Sequence, residues 1–430
     1  MITKEQILNL IWDDPAEIAH WLGYQDMTDL HSRWIHDFLF SDEDQTLMAH
    51  RGSYKTSALS AFFALHTVIK PNETLMYMRK TDQNVADICK QTQNMLMSGA
   101  IQKMAQVIYG HGIQFKRATQ SEIDTNLHTG VSGTAQISGF GINASITGRH
   151  ADIVVTDDIV TLKDRVSNAE REHTRAIYQE LVNVKNRGGR FINTGTKWAK
   201  EDAFDLMTKR NPAKIYTCYD TGLITPEKLS EIRDSMTPSL FAANYELKII
   251  ADENALFGPA NWLPPSESNA IHGGKAHIDA AYDGEDYTAY TILKKDGDRY
   301  IGYGKIWRKH VDQCLNEIDA LHDMYEAGSI ATETNADKGY LAKELKARGH
   351  QVNTYQEHQN KYLKIATILR KHWKQIYWID ETDPEYISQI LDYTEDASHD
   401  DAPDSCASLL RAMSGEVKVN TSSYLIGGVL

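Results

Sequence analysis

The sequence predicts an α/β protein of two domains, the first built on a parallel sheet with helices on both faces and the second an α/β domain that contains a β-hairpin. Three observations carry this expectation. From Thr46 onward short apolar stretches alternate with amphipathic ones, the order expected of strands and helices in a sheet covered on both faces. The stretch "ALFGPANWLPPSESNAIHGGK", residues 255–275, is rich in Pro, Gly, Ser and Asn and interrupts the alternation. After it the pattern restarts. The expected organisation is a helical lead-in over 1–45, a first domain over 46–254, a linker over 255–275 and a second domain over 276–430.

A chain of 430 residues is long enough for two sizeable cores. No apolar run approaches the roughly 20 residues of a membrane span, so no membrane partner is expected. The start "MITKEQILNLIWDD" holds one Glu and two Asp and no signal-peptide pattern. Cys89, Cys218, Cys314 and Cys406 are far apart with no C-x-x-C, which argues against a zinc knuckle and a disulfide framework. The expected compartment is a reducing cytosol. A net charge of -14 does not exclude nucleic acid, because binding depends on local basic stripes. After residue 265 there are 18 basic residues against 27 acidic. Such a surplus suits a solvated surface or a cluster of metal-binding carboxylates.

The lead-in shows a helical pattern in "EQILNLIWDDPAEIAHWLG". The strand "TLMAH" then precedes the helix "SALSAFFALHTVIK", and "ETLMYMRK" precedes "DQNVADICKQTQNMLM". The runs "ADIVVTDDIV" and "RFINTGTKW" are later strands. Beyond the linker, "KAHIDAAY", "YTAYTILKKDG" and "DRYIGYGKIWR" read as three strands, the last two a hairpin around Asp296-Gly297. A helix, the strand "SIATETN", a helix, the strand "QVNTYQEH" and further helices follow.

The junction "AHRGSYKTS" resembles a phosphate-binding loop, G-x-x-x-x-G-K-[ST], with Ala49 and Tyr54 at the glycine positions. The candidate nucleotide-binding residues are Arg51, Gly52, Ser53, Tyr54, Lys55, Thr56 and Ser57. Lys55 would reach the β- and γ-phosphates of ATP, and the Thr56 hydroxyl would sit on Mg²⁺. The strand "IVVTDD" ends in Asp157 and Asp158, the requirement of a Walker B strand: one carboxylate near Mg²⁺, a second acid to position water. The strand "FINTGT" ends in small hydroxylated residues, and Thr196 is placed to sense the γ-phosphate. Arg51 and Arg149 could stabilise charge developing on that phosphate. Together these predict a P-loop, RecA/ASCE-like parallel-sheet ATPase domain. A Gly at position 54 would permit positive φ, whereas Tyr there is strained, so Tyr54 is expected at negative φ in a slightly different turn.

The second domain carries acids in a telling order. Asp279 lies on a strand before a hairpin, Glu333 near the end of a later strand, and Asp400, Asp401 and Asp404 at the start of a late helix. Asp401 and Asp404 are three apart and share a helix face. Carboxylates from several elements are what two Mg²⁺ or Mn²⁺ ions need to activate water and stabilise a leaving oxygen. The order is that of an RNase H-like α/β nuclease domain. Asp279, Glu333 and Asp401 are the expected catalytic acids, with Asp404 a further metal ligand. The basic segment "NKYLKIATILRKHWK", residues 360–374, suits contact with a phosphate backbone.

Across nearly the whole chain, "HRGSYKTS", "TGRHADIVVTDD", "NTGT", "HIDAAYDGEDYTA", "TETN" and "HDDAPDS" resemble the large terminase subunit of tailed bacteriophages. The resemblance implies a DNA-packaging motor. ATP hydrolysis at Lys55, Asp157 and Asp158 would drive double-stranded DNA into a procapsid, coupled through Thr194–Thr196. Arg149 would complete a neighbouring subunit's site, and the nuclease would cut concatemeric DNA. The implied partners are the portal protein, a small terminase subunit and further copies of this chain in a ring on the portal. The implied place is the host cell cytoplasm, transiently at the procapsid and outside the mature virion. A transposition or repair nuclease with the same two chemistries is the alternative.

Overall fold

The computed structural model describes residues 2–131, 133–209, 211–236, 238–249, 256–282, 286–335, 339–357, 360–394, 397 and 399–414. The tail after 414 and residues 283–285 of the "HIDAAYDGEDYTA" motif lie outside the described residues. The chain divides into two compact units. One comprises Met1–Asp164, Ala169–Arg233 and Pro238–Ile250; the other comprises Arg165–Asn168, Asp234–Thr237 and Ala251–Leu430. No helix among the described residues is long and apolar enough to cross a membrane.

The first unit opens with three helices, α1 (Lys4–Asp13), α2 (Pro15–Trp21) and α3 (Asp29–Phe40). Thr3 starts α1 with a capping box: its hydroxyl accepts from the Gln6 amide while the Gln6 side chain accepts from the Thr3 amide. The strands are β1 (Gln45–Ala49), β2 (Leu75–Arg79), β3 (Phe115–Ala118), β4 (Glu122–Thr125), β5 (Ile137–Gly141), β6 (Ala151–Asp157), β7 (Lys185–Gly195) and β8 (Lys214–Tyr216). They lie in the order β3-β4-β5-β2-β6-β7-β1-β8. From β5 to β8 every pairing is parallel.

The sheet is dominated by parallel pairings, as expected, and carries an antiparallel edge where β3 pairs with β4 and β4 with β5. The three residues between β3 and β4 permit only a hairpin; a parallel return needs a crossover of about a dozen or more. Alternate strand residues feed two cores. Leu47, Leu75, Tyr77, Ile153, Val155 and Ile192 pack with the helices α1–α3, α4 (Lys55–Ile69) and α5 (Asp82–Leu96). Met48, Met76, Met78, Val154 and Phe191 pack with Tyr178, Leu181, Phe204 and Met207. Both faces of the sheet are therefore covered, as parallel sheets require. Helix α4 is apolar nearly all round and is buried accordingly.

The second unit holds β9 (Asn261–Trp262), β10 (Lys275–Asp279), β11 (Thr288–Asp296), β12 (Arg299–Trp307), β13 (Ile330–Glu333), β14 (Val352–Tyr355) and β15 (Ile376–Trp378). Their order is β14-β13-β10-β11-β12-β15-β9. The central three are antiparallel and the flanking pairings parallel. In the β11–β12 hairpin Asp296 pairs with Arg299, so the loop is Gly297-Asp298, with Gly297 at φ 58°. Glycine first in a two-residue loop matches the right-handed strand twist.

The range 255–275, read as a linker, differs from that reading. It contributes β9 to the sheet edge and a 3₁₀ helix, Pro265–Ile271, whose Ile271 is fully buried. Pro and Gly there shape a short edge strand and a turn rather than a free tether.

Candidate active sites

In the first unit the candidate residues converge at the carboxyl ends of the parallel strands, where open α/β sheets place ligands. Strand β1 ends at Ala49; the loop then runs to Tyr54, the N-cap of α4. The loop is held from three sides. The His50 amide donates to the Tyr216 carbonyl at 3.1 Å, and the Arg51 amide to the Asn244 carbonyl at 2.8 Å. His31 Nε2 donates to the Ser53 carbonyl at 3.0 Å, its Nδ1 accepting from the Thr28 amide. Burial lowers the His31 pKa, so the ring is a neutral prop.

Tyr54 is at φ 59°, ψ 17°, in the left-handed region. The expectation of a negative φ is overturned. Gly52 is at φ 81°, and the turn keeps the left-handed N-cap that a glycine would have adopted without strain. For Tyr that conformation costs about 1–2 kcal/mol. Two contacts hold it: the Tyr54 hydroxyl donates to Asp26 Oδ2 at 2.9 Å, and the ring meets His31 edge-on with centroids 6.0 Å apart.

Asp157 is the hub. Its side chain is 0% exposed. Its Oδ2 accepts from Thr56 Oγ1 at 3.2 Å and from the Tyr77 hydroxyl at 3.0 Å, and Oδ1 accepts from Thr194 Oγ1 at 2.6 Å. Lys55 Nζ stands 3.9 Å from Asp158 Oδ1. Asp158 itself is at φ 49°, its amide donating to the Thr194 carbonyl at 3.0 Å. Burial pushes the Asp158 pKa up; Lys55, Arg79 and Arg51 pull it back, and Asp157 adds to the rise. Thr196 is buried just past β7, while Ser57 is half-buried and Arg51 exposed.

One charged residue of the cluster lies outside the expected set. Arg79 ends β2, which pairs with β6. Its Nε lies 3.2 Å from Asp157 Oδ2 and its Nη2 3.4 Å from Asp158 Oδ2. The available signal was a charge closing an otherwise apolar strand, "LMYMR", at the sheet end that carries the other candidates.

Arg149 is not brought to this cluster. It precedes β6, whose far end carries Asp157, and its guanidinium lies 4.1 Å from the centre of the Phe140 ring while Nε donates to the Ser145 carbonyl at 3.3 Å.

The donor set fits a hard divalent cation: Thr56 and Asp157 offer oxygen only and already touch. The buried Ser53 hydroxyl has no hydrogen-bond partner among the described residues, an orphan that a phosphate would satisfy.

In the second unit Asp279 ends β10 and Glu333 ends β13, its parallel neighbour. Ile278 is in register with Thr332, so the two acids are adjacent across the ladder, about 5 Å apart at the backbone. The helix Asp401–Ser414 is fixed on this sheet by hydroxyl contacts. Ser405 Oγ bonds His277 Nδ1 at 2.9 Å and Thr291 Oγ1 at 2.7 Å, and the Tyr386 hydroxyl donates to the Ala402 carbonyl at 3.2 Å. Tyr386 packs where Gly304 leaves room; a Cβ there would come within 2.4 Å of the ring.

Burial raises the Asp279 pKa well above the carboxylate range, with Asp404 the foremost charge adding to it and Asp401 a lesser one. Glu333 is raised as well, chiefly by burial. Asp401 is pushed up to about 7 by burial and then Asp400. The side chain of Asp404 is buried, while Asp401 is only half-buried at the helix start. Asp404 and Asp401 thus differ in burial, and both lie near enough to Asp279 to add to its rise. Position 404 is one turn into the helix, where its carboxylate meets Lys364 and Lys361.

Two lysines supply countercharge. Lys364, 0% exposed, lies 2.5 Å from Asp404 Oδ1 and 3.0 Å from Glu357 Oε2, and donates to Ser408 Oγ at 2.9 Å. Lys361 reaches Asp400 Oδ1 at 3.0 Å and Asp404 Oδ2 at 3.6 Å. The basic segment 360–374 is thus split. Lys361 and Lys364 turn to the acids, Trp373 is buried and donates to the Gly258 carbonyl, and Arg370, Lys371 and Lys374 stay exposed.

The all-oxygen donors, and a buried Asp279 Oδ2 without a partner among the described residues, suit a hard cation. Among the described residues no three His, Cys, Asp or Glu side chains already stand at metal-ligand spacing. The acids are gathered, and the lysine ammoniums balance them.

No protein-family model and no curated protein matches the chain. Among solved structures it is similar to the large terminase from a thermophilic bacteriophage, at 13% identity and TM-score 0.36, over 94% of this chain and 98% of that one. It is similar to the HK97 bacteriophage large terminase at 12% identity and TM-score 0.36, over 82% of this chain and 85% of that one. The Thermus phage P74-26 large terminase ATPase domain matches 49% of this chain and 89% of its own length, at 13% identity and TM-score 0.32. Two of these three solved structures are large terminases and the third is the ATPase domain of one.

Proposed function

We propose that the chain is an ATP-hydrolysing, metal-dependent DNA endonuclease that packages viral DNA. The observation that carries the ATPase half is the meeting of Lys55 and Thr56 with Asp158 and Asp157 at 3.9 and 3.2 Å, across 101 residues of sequence for the Thr56–Asp157 pair. Lys55 would take the phosphates, releasing Asp158 to orient the attacking water. Thr56 and Asp157 would hold Mg²⁺, which when bound neutralises phosphate charge. Thr194, bonded to Asp157, would pass the state of the site along β7. Arg149, exposed and away from this chain's own Lys55 and Asp157, would complete the site of a neighbouring copy in a ring.

In the second unit Asp279, Glu333, Asp404 and Asp401 would hold Mg²⁺ or Mn²⁺, which when bound lowers the pKa of a water. The protein's own part is to fix the acids on adjacent strand ends and one helix, and to balance them with Lys361 and Lys364. Double-stranded DNA is the proposed substrate, with a portal protein and a small terminase subunit as partners in the host cytoplasm. The motif resemblance supports these partners.

Paired variants test this reading. Lys55→Ala should abolish DNA-stimulated ATP hydrolysis and spare Mn²⁺-dependent nicking; Asp279→Asn should do the reverse. Loss of both activities in either variant, or of neither, would sink the two-site assignment. Both activities without translocation into procapsids would favour a transposition or repair nuclease.

A further inference from the structure

We propose that Arg79 is a positioning residue of the nucleotide site, a built-in countercharge that bridges Asp157 and Asp158 in the cation-free protein and afterwards steers Asp158 alone. The inference rests on the reading of that site as an ATPase centre.

The geometry is specific. Arg79 Nε is 3.2 Å from Asp157 Oδ2 and Nη2 is 3.4 Å from Asp158 Oδ2, so one planar fork spans two carboxylates from consecutive residues. A lysine ammonium is a point charge and could not hold both in one plane. Asp157 Oδ2 also accepts from Thr56 and Tyr77, but those donors are neutral. A carboxylate with 0% exposure and only neutral donors would be costly, and Arg79 supplies the missing charge.

Asp158 is shared between two cations, with Lys55 on Oδ1 and Arg79 on Oδ2. When Lys55 moves to phosphate, Arg79 remains the cation on Asp158. The consequence for catalysis is orientation: the fork fixes the plane of the carboxylate that positions water. The backbone placement favours this role. The Arg79 carbonyl accepts from the Ile142 amide at 2.9 Å, holding the end of β2 against the segment that follows β5. The residue is anchored by its main chain while its side chain serves the site.

A purely structural ion pair would make the same contacts, so the test must separate the two. Thermal unfolding of the full chain would be followed for wild type, Arg79→Met and Arg79→Lys. Each would be measured alone, with MgCl₂, and with MgCl₂ plus ATPγS, alongside steady-state ATP hydrolysis. Expected is an Arg79→Met protein several degrees less stable than wild type when cation-free, with that deficit closing once Mg²⁺ and ATPγS are bound. Its kcat should fall roughly a hundredfold, the cost of misplacing a reacting group, with KM within about twofold. Arg79→Lys, which restores one charge but not the fork, should recover part of the cation-free stability and little of kcat. A stability deficit equal under all three conditions, with kcat unchanged, would overturn the proposal. Wild-type protein that neither gains stability from Mg²⁺ and ATPγS nor releases phosphate would remove the nucleotide site itself, and Arg79's role with it.

Discussion

Thr56 and Asp157 form a hydrogen bond of 3.2 Å between the first turn of α4 and the end of β6. The contact joins the hydroxyl expected on Mg²⁺ to the carboxylate expected beside it. Thr56→Ser should keep the bond and retain ATP hydrolysis within about tenfold, whereas Thr56→Val should lose it by roughly a hundredfold or more. Magnesium titrations of turnover would show the difference; equal activity of the two variants would place the cation elsewhere.

Tyr54 and Asp26 offer a test of how the strained loop is held. The bond between them should appear as a coupling of about 0.5–1.5 kcal/mol in a double-mutant cycle of Tyr54→Phe and Asp26→Ala, read by denaturant unfolding. Tyr54 is 38% exposed, which puts the expected value at the lower end. Additive effects would mean that the bond does not steady the left-handed turn.

The buried Lys364 balances Asp404 and Glu357. Lys364→Met should cost about 3–5 kcal/mol in the cation-free protein, because it strands buried carboxylates. Urea unfolding of the full chain would measure it. A change under about 1 kcal/mol would show those acids to be balanced by other groups.

Asp401 gives a pH signature. Its folded pKa, about 7, lies above the ordinary carboxylate value near 4. The unfolded chain therefore gives up this proton first, so the contribution to stability is present below pH about 4 and is lost as pH rises to about 7. Cation-free Asp401→Asn should show a shallower fall in Tm over that window than wild type. Parallel curves would place the titrating group elsewhere.

The legible parts of the chain were those set by local sequence. Lys55-Thr56 at a strand–helix junction, "IVVTDD" as a buried strand ending in acids, and the strand-end acids Asp279 and Glu333 each follow from a few consecutive residues. What was not legible depends on register between distant strands. Arg79 reaches Asp157 because β2 pairs with β6, and the sequence of β2 does not name its neighbour. Asp404 is buried and Asp401 half-buried because of how one helix is seated on β10 and β11. Tyr54 was misread because backbone preference is only one contribution; the bond to Asp26 and the contact with His31 come from a segment well upstream in the chain.

Two separate oxygen-ligand cation sites would lie in one chain. Anomalous diffraction from crystals grown with Mn²⁺ and ATPγS addresses this directly. Manganese density between Thr56 and Asp157, and again among Asp279, Glu333 and Asp404, is the expected result. Manganese absent from either place while the nucleotide or DNA-cleaving activity persists in solution would contradict it.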